Sequence, residues 1–334
     1  MKVLVTGGCG FIGKNFIRLL RRERPQWEVV NLDALTYAGT ARGLPDVGDA
    51  GYRFIHGDVR DSKLVREAVV GCDAVVHFAA ESHVDRSIMS SAEFVSTNVL
   101  GTQVLLDATR QGGASVYLQV STDEVYGSLS DGDAAFSETT PIAPRSPYSA
   151  SKAAADHLVL SYFHTHGMDV RVTRCSNNYG PYQFPEKLIP LTLINALHER
   201  PIPVYGDGRQ RRDWIHVEDH CRGVLAVLEE GRGGEVYNIG ADQEQENLDT
   251  ILAVLSTVGA SEELITYVRD RPGHDRRYAM DSRKIRAELG WAPRYTFETG
   301  IRETVQWYLQ AKEWWQPILD GTYRDYYQAQ YGAR

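Results

Sequence analysis

Two hydrophobic patterns alternate along the first half of the chain. Between short apolar runs lie stretches whose apolar residues are three or four positions apart, as at Phe16, Ile17, Leu19 and Leu20, which is the spacing of an amphipathic helix. The apolar runs themselves are typical of buried strands and fall at 2–6, 29–32, 52–56, 74–78 and 116–120. Strands separated by helices predict an α/β fold with a doubly wound parallel, Rossmann-type sheet.

The second half of the chain has a different pattern. A further strand is predicted at 170–175, after which the alternation ends and prolines and glycines become frequent up to Gly208. We therefore expect residues 1–176 to form a dinucleotide-binding domain and residues 177–334 to form mainly a smaller mixed α/β lobe that binds substrate. Some later segments are expected to return to the first domain.

Composition narrows the class of protein. The 334 residues include 36 Lys and Arg against 44 Asp and Glu, and this mildly acidic balance does not favour nucleic acid or a membrane surface as a partner. The four cysteines are scattered, without a CxxC pair or a Cys/His cluster, which predicts a reduced, cytoplasmic protein without a metal site. The N-terminal apolar run ends at Thr6 and is too short for a signal peptide or a membrane span.

A glycine-rich turn after the first predicted strand indicates a cofactor. In the order strand, turn and helix, Gly7 permits the tight turn, Gly10 lets the backbone approach a pyrophosphate, and Gly13 lets helix and strand pack closely. Asp33 ends the next strand, where a carboxylate accepts hydrogen bonds from an adenosine ribose and repels a 2′-phosphate. The two features together predict NAD rather than NADP.

Two later strand ends extend this site. Asp58 follows the strand at 52–56 and can reach an adenine amino group. Ala79 and Ala80 follow the strand at 74–78, and their small side chains let a cofactor lie close to the backbone.

The strongest catalytic signal follows the strand at 116–120. Thr122–Glu124 place a hydroxyl and two adjacent carboxylates where an open α/β sheet binds its ligands. Tyr148 and Lys152 are four residues apart and share one face of a predicted helix. The ammonium is expected to lower the pKa of the phenol, which would make Tyr148 a base near neutral pH. These groups predict an enzyme.

The lobe carries candidate groups for an anionic substrate. Arg212 precedes the strand-like run Asp213–Val217, and Arg271 lies in the tight segment Asp270–His274. A guanidinium at such a position suits bidentate capture of a diphosphate. Tyr205 follows a short apolar run and can lie against a nucleobase.

Together these motifs resemble the extended short-chain dehydrogenase/reductase family over nearly the whole chain. Within the family, the chain is most similar to enzymes that remove water from nucleotide sugars, because it has the Asp123–Glu124 pair. Related epimerases carry Ser or Thr in this segment without the acid pair. The resemblance is carried by the segments Thr6–Gly13, Ala79–Ser87, Ser121–Gly127, Tyr148–Lys152, Arg174–Pro181, Phe184–Pro190, Arg212–Trp214 and Arg271–Asp275.

The resemblance implies a 4,6-dehydratase that acts on a small-molecule nucleotide sugar, dTDP-glucose, by C4 oxidation, C5/C6 elimination and C6 reduction on bound NAD. Tyr148 would take the 4-hydroxyl proton, Lys152 would lower the phenol pKa and bind the nicotinamide ribose, and Thr122 would hold the C4 oxygen. Glu124 would remove the C5 proton, and Asp123 would protonate the departing C6 hydroxyl.

The family's binding residues can also be carried over by position. Homodimers are implied as well, formed through the helix around Asn98–Arg110 and the helix that starts at Tyr148. The implied cofactor contacts are Gly7, Gly10, Phe11, Ile12, Gly13, Asp33, Asp58, Val59, Ala79, Ala80, Thr97, Tyr148, Lys152 and Asn178. The implied nucleotide-sugar contacts are Ser82, Thr122, Asn177, Lys187, Leu188, Pro203, Tyr205, Arg212, Asn247, Arg271 and His274.

Two alternatives remain open at this point. An NAD-dependent nucleotide-sugar epimerase or decarboxylase would share the C4 oxidation, but an epimerase has no leaving hydroxyl for Asp123–Glu124 to protonate. A non-catalytic dinucleotide-binding sensor could dispense with Tyr148 or Lys152, and this chain has both.

Overall fold

The structure is a computed structural model, and it describes residues 1–46, 48–270 and 273–319. The strands are β1 (Lys2–Thr6), β2 (Glu28–Asp33), β3 (Tyr52–His56), β4 (Ala74–His77), β5 (Val116–Thr122), β6 (Val170–Cys175), β7 (Asn177–Tyr179), β8 (Ile202–Tyr205), β9 (Arg211–His216), β10 (Val236–Ile239), β11 (Glu244–Glu246) and β12 (Ile265–Val268).

The helices begin with α1 (Phe11–Glu23), α2 (Ser62–Val69), α3 (Val84–Met89), α4 (Ala92–Val95), α5 (Gly101–Gly112) and α6 (Pro147–His166). They continue with α7 (Leu188–Leu197), α8 (Val217–Glu230), α9 (Asn247–Val258), α10 (Arg283–Leu289), α11 (Phe297–Gln310) and α12 (Lys312–Leu319). A π-helical turn (Ser96–Leu100) joins α4 to α5, and 3₁₀ turns occupy Asp123–Tyr126 and Glu262–Leu264.

The central sheet has seven strands in the order β10-β6-β5-β4-β1-β2-β3, and every neighbouring pair is parallel. The chain moves outward from β1 to β2 and β3, and then continues on the other side of β1 at β4. In an open parallel sheet, this change of direction leaves a crevice at the carboxyl ends of the strands. The predicted Rossmann-type fold is confirmed.

Helices cover both faces of this sheet, which explains why its strands are almost continuously apolar. On one face α1 and α8 pack together, and Phe16, Ile17 and Val224 are fully buried there. On the other face α2, α5 and α6 pack against the sheet, with Leu105 and Val159 in the core.

The remaining strands form a smaller lobe with a core of its own. A three-stranded sheet, β11-β9-β7, and the parallel pair β12-β8 carry α7, α9, α11 and α12. Leu193, Trp214, Val254 and Trp315 are buried in this core. The strand β10 lies late in the chain but pairs with β6, so a segment beyond residue 176 completes the central sheet.

Within residues 1–46, 48–270 and 273–319, no helix has the length and apolar character needed to cross a membrane. Across the same ranges, no group of three or more His, Cys, Asp or Glu side chains is arranged to hold a metal ion.

Candidate active site

A deep cavity lies at the carboxyl ends of the central strands and collects most of the predicted site residues. It is lined by every residue predicted to contact the cofactor, and also by Ser82, Thr122, Asp123, Glu124, Asn177 and Lys187. The cause is topological, because parallel strands direct the loops that follow them to one edge of the sheet.

The glycine turn provides a cradle that fits a pyrophosphate. Gly7 has a φ of +73°, and a Cβ there would lie 2.5 Å from the Ala79 nitrogen. A Cβ on Gly13 would lie 2.3 Å from the Gly7 oxygen, so this glycine allows the close packing of helix and turn. Gly10 caps α1 without a side-chain hydrogen bond and lines the cavity, so the positive end of the helix dipole is available to an anion.

Asp33 is anchored at the end of β2. Its two carboxylate oxygens accept hydrogen bonds from the backbone N–H groups of Cys9 and Leu35, each at 2.8 Å. Burial raises the pKa of Asp33, and these two hydrogen bonds oppose the effect. A Cβ on Gly39 would lie 3.1 Å from the carboxylate, so the loop that follows β2 closes tightly around it. A ribose hydroxyl fits this site better than a 2′-phosphate.

Asp58 has a partner that the sequence did not indicate. The Arg60 guanidinium lies 2.7 Å from its carboxylate and holds the pKa of Asp58 below its usual range. Arg60 also contacts Glu93 at 3.1 Å and lines the cavity. An adenine near Asp58 would therefore also meet this ion pair.

Tyr148 and Lys152 lie one turn apart on α6, and both are buried. The expected effect of Lys152 on the phenol was wrong. Burial raises the pKa of Tyr148 well above its ordinary value, and the negative charges of Glu124 and Asp123 add to the rise, although a hydrogen bond with Thr122 opposes it. The Lys152 ammonium instead donates a hydrogen bond to the Val120 carbonyl at 2.8 Å.

The acid pair is built into the turn that follows β5. Thr122 caps the 3₁₀ turn by accepting a hydrogen bond from the Glu124 N–H at 3.3 Å, which fixes the backbone of both acids. Asp123 is only 2 % exposed. Burial and the charges of Glu124 and Asp213 raise the pKa of Asp123 well above its ordinary value, which favours the protonated form of this carboxyl group. Its neighbour Glu124 is less buried and lines the cavity.

Asn178 is positioned by a residue that the sequence analysis missed. Its amide Nδ2 donates to the Ser176 carbonyl at 3.0 Å, and its Oδ1 lies 2.8 Å from Nδ1 of the buried His220 on α8. Because Asn178 Oδ1 is an acceptor, Nδ1 of His220 carries a proton and donates this hydrogen bond. A histidine within the apolar pattern of a helix gives no sequence signal for this role.

His220 gives a test of the pH dependence of stability. Burial lowers its pKa from 6.5 to about 3. Because the folded-state pKa lies below the unfolded-state value, the unfolded chain binds this proton first as the pH falls. We expect the wild-type protein to lose about 1.4 kcal/mol of unfolding free energy from His220 between about pH 7.5 and 5.5.

His220→Gln keeps a hydrogen-bond donor but cannot titrate, so it should not show this loss. Urea unfolding of both proteins at the two pH values measures the difference, in which other titrating groups largely cancel. A wild-type minus variant difference that does not change with pH would contradict the expectation.

Most of the predicted nucleotide-sugar contacts in the lobe lie outside the lining of the cavity. Of those within the described ranges, Leu188, Pro203, Tyr205, Arg212, Asn247 and His274 do not line it, and Arg271 lies outside the described residues. The Tyr205 hydroxyl is 3.5 Å from an Asp85 oxygen, and its ring packs edge-on against His274. Tyr205 and His274 thus lie together in a cluster of their own.

Arg212 lies behind the acid pair. Its guanidinium donates to the Asp275 carbonyl at 2.9 Å and stacks over the Tyr278 ring at 4.3 Å. Its positive charge lowers the pKa of Asp123, which places it within electrostatic reach of the carboxyl group. The structure therefore shows an electrostatic effect of Arg212 on the acid pair, in addition to its predicted contact with a diphosphate.

Several cavity residues were not predicted. Most lie in the loop after Asp33 or in the segment before Lys187, and the others are next to a predicted residue in the chain, so chain proximity was the available signal. They include Thr36, Tyr37, Gly39, Arg60, Ser121, Ser176, Gln183, Phe184 and Glu186.

The fold and the site together define a class. A doubly wound sheet, a glycine cradle beside an anchored aspartate, and a Tyr–Lys pair on one helix are the features of a dinucleotide-dependent short-chain dehydrogenase/reductase of the extended type. The acid pair at the end of β5 adds chemistry that oxidation alone does not need.

Comparisons with known proteins identify the family. The family model described as GDP-mannose 4,6 dehydratase matches residues 4–304. A dTDP-glucose 4,6-dehydratase of Streptomyces niveus is 51 % identical over 323 residues, which are 95 % of this chain and 96 % of the relative. The dTDP-glucose 4,6-dehydratase 1 of Escherichia coli is 47 % identical over the full length of both chains.

Solved structures support the same family. A dTDP-glucose 4,6-dehydratase of Streptomyces venezuelae, crystallised with NAD and dTDP, superposes with a TM-score of 0.92 at 48 % identity, covering 95 % of this chain and all of the other. A UDP-glucose 4-epimerase of Thermus thermophilus in complex with NAD gives 0.86 at 31 % identity, covering 93 % of this chain and all of the other. The chain belongs to the dTDP-glucose 4,6-dehydratase family.

Proposed function

We propose that the protein is an NAD-dependent carbon–oxygen lyase that converts dTDP-glucose to dTDP-4-keto-6-deoxyglucose and water. The observation that carries the proposal is the acid pair at the end of β5, where a buried Asp123, whose pKa is raised by burial, is adjacent to Glu124 and close to Tyr148. A dehydration between C5 and C6 needs a base and an acid at neighbouring positions, and two carboxyl groups in different environments supply both.

The first chemical step removes hydrogen from C4. Tyr148 accepts the proton of the 4-hydroxyl, and Thr122, which hydrogen-bonds Tyr148, holds the same oxygen. When bound, NAD accepts hydride from C4, later supplies it to C6, and brings a positive charge that favours the phenolate. The Lys152 ammonium donates a hydrogen bond to the Val120 carbonyl, which fixes its side chain in the lining of the cofactor cavity. Its proposed role is to bind the nicotinamide ribose from there.

The second step uses the acid pair. A ketone at C4 acidifies the C5 proton, and Glu124 removes it as the base. Asp123 gives its proton to the C6 hydroxyl, so that the C6–O bond breaks and water leaves. After reduction at C6, Glu124 returns a proton to C5. Tyr148 has then gained the proton that Asp123 lost, and transfer of one proton between them resets the site.

The substrate-binding lobe, the oligomeric state and the cellular location are part of the same proposal. The lobe from residue 177 onward is proposed to bind the nucleotide sugar, and Arg212, Tyr205 and the other lobe residues named above remain proposed contacts. A homodimer is proposed through the π-helical turn with α5 and through α6, where Leu100 and Phe163 are exposed. A cytoplasmic location is proposed because all four cysteines are free and buried.

The deciding experiment is incubation of the purified protein with dTDP-glucose in deuterated water, without added cofactor. We expect the product to lack one water and to carry deuterium at C5, because the proton held by Glu124 exchanges with solvent before it returns to carbon. Mass spectrometry and NMR of the product measure both changes.

Other outcomes assign other functions. An epimer with no loss of water would make the protein a nucleotide-sugar epimerase and would leave Asp123 without its proposed role. Unchanged dTDP-glucose with turnover of UDP-glucose would move the specificity to another nucleotide. Binding of NAD without turnover of any nucleotide sugar would indicate a sensor.

A further inference from the structure

Three side chains from distant parts of the chain meet at the edge of the cavity. The Tyr37 hydroxyl donates a hydrogen bond to Glu186 Oε1 at 3.1 Å. The Arg86 guanidinium stacks 3.8 Å above the centre of the Tyr37 ring, and its Nη2 lies 3.7 Å from Glu186 Oε2. We call these residues the Tyr37–Arg86–Glu186 cluster.

The cluster is largely shielded from water, so its charges interact strongly. The side chain of Glu186 is 2 % exposed and that of Arg86 is 32 % exposed. His83 adds a ring nitrogen 3.9 Å from Glu186 Oε2, and Phe184 packs edge-on against the Tyr37 ring at 5.5 Å. A carboxylate this deeply buried depends on its partners, because removal of the cation leaves an uncompensated charge.

The position of the cluster relates it to the cofactor. Tyr37 lies in the loop that follows Asp33, whereas Glu186 lies in the segment that leads into α7 of the lobe. Both the loop and this segment line the cavity that contains the glycine cradle. The cluster therefore joins the dinucleotide-binding domain to the lobe directly at the wall of the cofactor cavity.

This connection has no evident part in the proposed chemistry. The oxidation and the elimination are accounted for by Thr122–Glu124 and Tyr148. However, a dehydratase regenerates its cofactor in every cycle and gains nothing from releasing it, so product must leave while the dinucleotide stays. A contact that joins two walls of the cavity would slow release of the dinucleotide without slowing release of the product, provided that it lies across the exit path of the dinucleotide.

We propose that the Tyr37–Arg86–Glu186 cluster is a clasp that retains the dinucleotide by holding the loop after β2 against the segment before α7. The inference rests on the proposed function for the identity of the cofactor. Its three members are positioning residues, and they act on the rate of cofactor release.

The test is the rate of dinucleotide release, measured on the intact protein loaded with NADH, from the decay of NADH fluorescence after dilution into excess NAD. Arg86→Gln removes the cation and most of the stacking, and we expect release at least about tenfold faster. Tyr37→Phe keeps the ring and loses one hydrogen bond, so we expect an increase of about twofold to tenfold. Arg86→Lys keeps the charge without the planar stack and should fall between wild type and Arg86→Gln.

The matched control is Arg283→Gln, which removes an arginine that is 89 % exposed and paired with Asp281 outside the cavity lining. It should release NADH at the wild-type rate. Circular dichroism and thermal unfolding of each variant verify that it is folded, and the mild Tyr37→Phe change keeps the test valid if Arg86→Gln is unstable.

An unchanged release rate in both Arg86→Gln and Tyr37→Phe would overturn the clasp. If the KM for dTDP-glucose were raised at the same time, the cluster would be assigned to the substrate. If the variants release NADH faster but the wild-type protein does not dehydrate dTDP-glucose, the clasp stands and the proposed function fails.

Discussion

Tyr148→Phe is expected to reduce kcat by about 10²- to 10⁴-fold, the range that a positioned acid–base group contributes. The substitution removes only the phenol oxygen, so the buried ring still fills its place on α6. Without that oxygen no side chain accepts the 4-hydroxyl proton, and C4 oxidation should stop before any water is lost. Single-turnover measurements of reduced cofactor, followed by its absorbance, detect the loss directly.

A matched control lies on the same helix. The Tyr162 hydroxyl donates a hydrogen bond to Asp107 at 2.8 Å, and Tyr162 is outside the cavity lining. Tyr162→Phe therefore removes the same atom from α6 without touching the site, and its kcat should stay close to wild type. A Tyr148→Phe variant that forms reduced cofactor as fast as this control would refute the proposed role of Tyr148.

Much of the cofactor site was predictable from sequence because it depends on backbone geometry. Gly7 and Gly10 are needed for conformation and space, and Asp33 must follow a strand, so spacing along the chain carries the information. The parallel order of the strands then brings their carboxyl ends to one edge without any detail of side-chain packing. For this reason Gly7, Gly10 and Asp33 line the cavity as predicted, whereas contacts such as Thr97 and Asn178, which also line it, were implied only by the family resemblance.

The electrostatics were less predictable, because a pKa depends on burial and on every neighbouring charge. Lys152 alone suggested a lowered pKa for Tyr148, but the sequence does not show that Glu124 and Asp123 oppose it or how deeply the phenol is buried. Asp123 is a second example, because its deep burial is the largest cause of its raised pKa and the sequence does not show that burial.

Contacts between distant segments were the least predictable part. Tyr37 and Glu186 are 149 residues apart and meet only because the lobe folds over the loop after β2. The pairing of β10 with β6 is similar, because a strand of four residues has no local pattern that assigns it to the central sheet and not to the lobe. In both cases tertiary packing, rather than local propensity, determines the structure.

Glu124→Gln is expected to separate the two halves of the reaction. The amide has nearly the shape of the carboxylate but is not a base at neutral pH, so removal of the C5 proton should fall by about 10²-fold or more. Tyr148 and Thr122 are unchanged, so C4 oxidation should still proceed. Reduced cofactor should therefore accumulate on the protein after dTDP-glucose is added, whereas the wild-type protein shows little.

The readouts of this variant also separate a catalytic role from a structural one. A Glu124→Gln protein that is only misfolded would accumulate no reduced cofactor, whereas one that has lost its base accumulates it and incorporates no deuterium at C5. Glu229→Gln is the control, because the Glu229 carboxylate is paired with Arg24 at 2.6 Å and lies outside the cavity lining. It should dehydrate dTDP-glucose at a rate near wild type. Turnover of Glu124→Gln at the wild-type rate would show that another group removes the C5 proton, and the proposed division of labour between Glu124 and Asp123 would then be wrong.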